Sequence, residues 1–209
     1  MIIKNNNPRI EPSFSISNRA YRFLWNIIQS TLFRFSPRTF HSFRNLILKI
    51  FGAKIGNHVH IYNKVQIWSP KNLIIKNYVA IANDVQIYNV ENVKIESFTV
   101  VSQGSFLCTA SHDYNSKNFQ LYAKPIYLKK NVWVCAQSFI HPGVTIEEGI
   151  VIGARSVVIK DLKKKWSVYS GFPVKYLAKR NKKYLKKKIN LIQERHIKQQ
   201  LQKKKKIRE

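Results

Sequence analysis

The chain has 209 residues, with 37 Lys+Arg against 10 Asp+Glu for a formal net charge of +27, and 44% of it is hydrophobic. That length holds one domain with a real core and excludes a multidomain machine, while the apolar content excludes a disordered basic tail. Two cysteines, Cys108 and Cys135, exclude a disulfide framework, no leader-like segment opens the chain, and no stretch approaches the ~20 apolar residues that span a bilayer. The expectation is a protein of a reducing, cytosolic compartment that does not cross a membrane.

Residues 1–54 carry 9 basic and 1 acidic side chains. They read as two helices, 19–33 and 39–51, broken at Ser36-Pro37. Tyr21, Leu24, Trp25, Ile28 and Leu32 form an apolar stripe flanked by Arg22 and Arg34. Such helices suit a cap over the open end of the domain that follows, and their amphipathic character also suits contact with a membrane surface.

Residues 55–173 are nearly ordinary in charge, 13 basic to 7 acidic, and they repeat. Val65-Gln-Ile-Trp-Ser-Pro-Lys-Asn-Leu-Ile-Ile-Lys76 recurs twenty residues later as Val85-Gln-Ile-Tyr-Asn-Val-Glu-Asn-Val-Lys-Ile-Glu96. A shorter period of six lies inside it: positions 55, 61, 67; 75, 81, 87; 95, 101, 107; 128, 134, 140; and 146, 152, 158 are all Ile, Val or Leu. Four residues after each, eleven of the fifteen positions hold Val, Ser or Thr, and Lys71, Glu91, Ile150 and Leu162 are the four exceptions. Neither a helical period of about 3.6 nor a strand period of 2 accounts for this. A coil with three flat faces does, one aliphatic side chain pointing to the axis from each face and successive coils stacking as parallel strands.

The interruptions fall after the third six of a coil, so they leave from one corner. Leu73-Ile74 and Val93-Lys94 are two-residue additions, and residues 113–127 form a long one that begins after Cys108-Thr-Ala-Ser-His-Asp-Tyr114. A long loop on a rigid repeat scaffold is usually functional. Its aromatics Tyr114, Phe119 and Tyr122 argue for packing. Past Trp166 the chain leaves the coil through Ser170-Gly-Phe-Pro173, and residues 174–209, 15 basic to 2 acidic, read as a basic helical tail. With no zinc-finger spacing or helix-turn-helix pattern beside it, this charge points away from nucleic acid and toward solvent or polyanionic surfaces.

The sixes, the Ser-His-Asp-Tyr segment before the extruded loop, Phe51-Gly-Ala-Lys-Ile-Gly56, Asn131-Val-Trp-Val134, His141-Pro-Gly-Val-Thr-Ile146 and Val151-Ile-Gly-Ala-Arg-Ser-Val-Val-Ile-Lys-Asp161 together resemble the hexapeptide-repeat acyltransferases. The likeness runs from about Tyr21 to Ala178 and is nearest to the O-acetyltransferases of colanic acid and related exopolysaccharide synthesis, relatives of the maltose and galactoside acetyltransferases. It implies a mainly β fold, a left-handed parallel β-helix, with a homotrimeric assembly, acetyl-CoA as donor and a sugar or lipid-linked glycan as acceptor. Glycine is sparse at the second position of the sixes, so many corners must form without its freedom, and Asn57, Asn63, Asn77, Asn83 and Asn131 are the candidates to tolerate the left-handed region.

Acetyl transfer from a thioester to a hydroxyl needs a base for the alcohol proton, donors for the oxyanion and a groove for coenzyme A. His112, last residue before the loop, has an imidazole able to take a proton near pH 7 and matches the family's catalytic histidine. Either Asp113 or a backbone carbonyl orients its ring. His41, His58, His60, His141 and His196 read as structural or surface groups, and no third ligand joins His58 and His60 to suggest a metal. Cys108 and Cys135 read as small apolar fillers rather than nucleophiles. By resemblance, Asp84, Tyr114 and Trp133 face the acceptor, while Trp133, Ala136, Ala154, Lys160, Gly171 and Lys175 line the coenzyme A groove.

Overall fold

A computed structural model describes residues 12–182 of the chain. From Lys54 onward the described residues build a three-faced parallel β-solenoid, and in its five complete coils the strands are two or three residues long. Face one stacks 54–55, 73–75, 93–95, 126–128 and 145–146; face two stacks 60–61, 80–81, 100–101, 133–134 and 151–152; face three stacks 66–67, 86–88, 106–108, 139–140 and 157–158. Five coils result, and a sixth is begun by the Ile146–Leu162 bridge and the strand Ser167–Gly171 on face two.

All fifteen aliphatic positions of the six-residue period are buried, and so are Ile150 and Leu162, which keep the apolar character of their positions with a different side chain. The two-residue additions are not loops. They lengthen the strands of face one, aligning Leu73, Val93 and Ile126 as a further buried row. The corner between faces three and one holds a polar counterpart: Ser69, Asn89 and Thr109 are all buried, and Asn89 both donates to the Ser69 carbonyl (2.6 Å) and accepts from the Ser69 N–H (3.0 Å). A repeat of twenty residues therefore places polar groups against polar groups, as buried amides require.

Most corners do turn through the left-handed region without glycine, yet only Asn131 among the expected asparagines does so. The residue that follows carries the positive φ instead: His58, Tyr78 and Asp84 after Asn57, Asn77 and Asn83. Between faces one and two the left-handed residues of the first three coils, His58, Tyr78 and Phe98, carry rings. His58 stacks on Tyr78 (4.9 Å, 9°) and Tyr78 on Phe98 (5.1 Å, 2°). A left-handed non-glycine residue costs about 1–2 kcal/mol, and an aromatic pair returns about 0.5–1.5 kcal/mol, so the ring stack offsets much of the strain. Further along the same corner Gly149 (φ +72°) lies under Trp166, whose ring a Cβ would strike.

The two helices cap the first coil as expected, and the contacts are specific. The first, α1, spans Ile16–Ile28, passes through a π-helical turn at Gln29–Phe33, and is followed by α2 at His41–Ile50. Carbonyls of the first coil have no earlier coil to bond. Asn45 donates to Val59 (2.8 Å), Arg44 to Ile61 (2.7 Å) and the Trp25 indole to Ile67 (2.6 Å), while the Gln29 amide oxygen accepts from the Ile67 N–H (2.7 Å). Arg44 is fully buried, and among the described residues no carboxylate pairs with it. Its remaining N–H groups donate to Ser36 Oγ and to the Pro37 and Arg38 carbonyls, with Nη2 also 3.0 Å from His41 Nδ1, so surrounding dipoles carry the charge that burial disfavours.

Three expectations need correction. Leu24 and Leu32 are exposed rather than buried, because the face of α1 that meets the solenoid is Tyr21, Trp25 and Ile28. Residues 113–127 are not one irregular loop: Ala110–His112 and Leu121–Ala123 pair as an antiparallel hairpin, and Ile126–Leu128 rejoins face one. The coil does not end at 173 in a helix either, since Val174–Lys179 folds back as a strand on Ser167–Gly171. The remainder of the expected tail, including His196, lies outside the described residues.

Replacing Arg44 with alanine removes a donor from the Ile61, Pro37 and Arg38 carbonyls and from Ser36 Oγ, of which Ile61 O, Pro37 O and Ser36 Oγ keep a second bond, and opens a cavity beneath the cap. Urea denaturation of Arg44→Ala is expected to show a loss of about 3 kcal/mol or more in unfolding free energy.

Candidate active site

The hairpin at the face-three to face-one corner positions His112. Its strands are closed by the register His112 to Leu121 and seated on the solenoid by the small buried cluster of Ala110, Leu121 and Ala123 against Phe14, Tyr88 and Val90. The tip is built by short-range bonds: the Asp113 N–H donates to Gln120 O, and the Phe119 N–H to Ser116 O. Phe119 takes a positive φ of 47°, which turns its carbonyl back toward the strand.

His112 Nδ1 lies 2.9 Å from that Phe119 carbonyl, and its imidazole stacks on the Phe119 ring at 4.6 Å and 5°. A carbonyl only accepts, so Nδ1 carries the proton and the neutral ring presents the lone pair of Nε2. A half-buried imidazole clamped in one tautomer and one plane is suited to take a proton from a hydroxyl at Nε2. Asp113 does something else here: Oδ1 accepts from the Asn115 N–H (3.0 Å) and shapes the tip. Phe119 appears in the sequence only as one loop aromatic among three. Its carbonyl and ring could have been found only from the fold-back that brings position 119 beside position 112.

The other expected site residues fall on two further parts of the surface. Asp84, Ala136 and Ala154 lie along the corner between faces two and three, where the Arg155 N–H donates to Ala136 O (2.9 Å). Gln137 and Arg155 stand beside them, joined through Oε1 and Nε at 2.7 Å, a pair that sequence reasoning passed over. Gly171, with φ of 112°, continues this line by donating to Ser156 Oγ (3.1 Å), and Lys175 sits opposite Ser170 in the terminal hairpin. Trp133 is half-exposed on face two, its indole donating to Ser102 Oγ (3.0 Å). Lys160 is exposed on the same corner as His112, two coils on, and Tyr114 projects from the hairpin tip. Within one chain the width of face three separates His112 from the Ala136–Ala154–Gly171 line. A cleft of about 200 Å³ between α1 and face three, lined by Asn26, Gln66, Trp68, Tyr88 and Phe106 among others, includes none of these residues.

A three-faced solenoid of hexapeptides interrupted by a histidine-bearing hairpin defines the hexapeptide-repeat acyltransferase class. No family model matches the chain. It is 41% identical over 139 residues to a putative colanic acid biosynthesis acetyltransferase, WcaF of Escherichia coli K12, covering 66% of this chain and 76% of that one. Among solved structures, a maltose O-acetyltransferase from Clostridium difficile 630 superposes with a TM-score of 0.69 at 23% identity, over 80% of this chain and 90% of that one. A hexapeptide-repeat acetyltransferase from Vibrio cholerae, VCA0836, solved with acetyl coenzyme A, superposes with a TM-score of 0.71 at 20% identity, over 80% and 91%. The chain belongs to the hexapeptide-repeat acetyltransferases and is a homologue of WcaF.

Burial pushes both the Cys108 and Cys135 thiols upward, which keeps them protonated at neutral pH. Cys108 is further occupied in donating to Ala110 O (3.1 Å). Cys108→Ala and Cys135→Ala proteins should therefore keep acetyl transfer within about 3-fold of the parent at pH 7, and thiol alkylation of the folded parent should accelerate only in alkali.

Proposed function

We propose that the protein transfers the acetyl group of acetyl-CoA to a sugar hydroxyl in the assembly of a cell-surface polysaccharide, with His112 as general base. The observation that carries this reading is the Phe119 carbonyl on Nδ1, which leaves Nε2 as the basic nitrogen. Nε2 takes the hydroxyl proton as the alcohol oxygen attacks the thioester carbonyl. The tetrahedral oxyanion then collapses, the C–S bond breaks, and the proton passes from Nε2 to the departing sulfur. We assign the orienting role to Phe119 O, with Asp113 holding the hairpin tip. Asp84 and Tyr114 are assigned to the acceptor and Ala136, Ala154, Lys160, Gly171 and Lys175 to the donor, with Trp133 contacting both.

The separation of His112 from the Ala136–Ala154–Gly171 line supports a homotrimer in which one chain supplies the base and its neighbour part of the donor groove. A cytosolic location follows from the use of acetyl-CoA, and among the described residues no helix is long and apolar enough to cross a membrane. N-acetylation of an amino sugar is the second reading, since the same base and groove serve an amine. Alkali separates the two: an O-acetyl ester is cleaved in mild base and an amide survives.

His112→Ala is expected to fold and assemble as the parent does while coenzyme A release on sugar addition falls at least about 100-fold. Near-parental turnover removes His112 from the mechanism. Mixing this variant with an Ala154→Trp protein, altered on the line that the neighbour contributes, under subunit exchange should restore part of the activity. No recovery in mixed trimers verified by native mass spectrometry places the whole site within one chain.

A further inference from the structure

Both cap helices are apolar on two sides. In α1 the side against the solenoid is Tyr21, Trp25 and Ile28, and the opposite side carries Ile16 (83% exposed), Phe23 (69%) and Ile27. In α2 Arg44, Ile47 and Leu48 are buried, while Phe43, Leu46 (57%) and Ile50 (73%) recur at i, i+3 and i+7 on the outer side. A soluble cap needs only one apolar stripe. Phe35 (81%) stands exposed in the segment that joins the helices.

The charge around these side chains has one sign. No Asp or Glu occurs between positions 12 and 54, where Arg19, Arg34, Arg38 and Lys49 are exposed. That identifies the occupant by elimination. A second copy would bring the same cations against themselves. Residues 183–209, with 11 Lys and Arg to 2 Glu, would do likewise, and like charges brought together in an apolar contact are disfavoured. An acidic macromolecule without an apolar phase would leave the Phe, Ile and Leu side chains in water. Apolar side chains to be buried beside cations to be neutralised match the interfacial region of a bilayer that contains anionic lipid.

We infer that the outer faces of α1 and α2 dock the protein on an anionic bilayer surface, with Phe23, Ile27, Phe43 and Leu46 inserted at the headgroup–acyl boundary and the surrounding Arg and Lys on the lipid phosphates. The inference rests on the cap alone and is independent of the transfer reaction. It is tested by sedimentation of the full chain with vesicles of phosphatidylcholine containing about one-third phosphatidylglycerol, against phosphatidylcholine alone.

The parent should partition at least about 10-fold more strongly to the anionic vesicles, and a rise in salt from about 0.1 to 0.5 M should weaken but not abolish this. Phe23→Ser with Ile27→Ser, and separately Phe43→Ser with Leu46→Ser, should each lower partitioning at least about 10-fold at unchanged melting temperature and oligomeric mass. The two pairs lie on different helices, so the failure of one to fold leaves the other as the test. A full chain with Lys203→Gln, Lys204→Gln, Lys205→Gln and Lys206→Gln should stay within about 3-fold of the parent. The inference is overturned if the parent ignores anionic vesicles, if the apolar pairs bind like the parent, or if the tail substitutions alone remove binding. It is equally overturned if the apolar pairs change the oligomeric mass and leave vesicle binding intact, which assigns these faces to a second copy.

Discussion

Stacking short parallel strands at about 4.8 Å lines the axis with a side chain from each face of every coil, joined on face one by the row of Leu73, Val93 and Ile126, and these side chains are aliphatic because nothing on the axis can bond a polar group. The rest of the molecule depends on that constraint. It sets the period of six, it restricts the strands to two or three residues, and it forces the chain to turn sharply three times per coil. The turns in turn require left-handed backbone at His58, Tyr78, Phe98, Asn131 and Trp166 along one corner, and the stack of His58, Tyr78 and Phe98 offsets that cost over the first three coils.

A stack of coils satisfies its backbone internally except at its ends, and the ends are where the non-repeating sequence has been placed. At the first coil the bonds that a preceding coil would make are supplied by Asn45, Arg44, Trp25 and Gln29. At the far end the strand Val174–Lys179 extends face two, and Arg180 donates to the carbonyls of Asn131 (2.7 Å) and Gly149 (3.0 Å). Neither cap repeats, so neither announces its partner by period.

That difference decides how much was legible in the sequence. The period named the buried side chains of fifteen positions and the corner from which the insertion leaves, because an axial residue is selected by the same environment in every coil. It did not name Leu73, Val93 and Ile126 as a further inward row, since two residues added to a period look like a loop until strand pairing aligns them. Leu24 in α1 and Leu32 in the turn after it face outward, and a helix apolar on two sides gives no unique inner face by which sequence could tell them from Trp25 and Ile28. At the site, His112 was legible from its place before the insertion. The group that fixes its tautomer was not, because a backbone carbonyl has no side-chain signature and reaches the ring only through the antiparallel return of Gln120 and Leu121.

The hairpin leaves and rejoins the solenoid at one corner: the Lys124 N–H bonds Thr109 O (2.8 Å), and the strand Ile126–Leu128 pairs with Val93–Ile95 in the register the coil would have kept without it. The inserted residues therefore transmit no shift to the coils on either side. A segment closed on itself in this way can be lengthened, shortened or exchanged while the axial stack stays untouched, so divergence in what the tip touches is uncoupled from the maintenance of the fold. Variation between descendants of this scaffold would be concentrated at the tip, between positions 113 and 120, where a change meets no other coil.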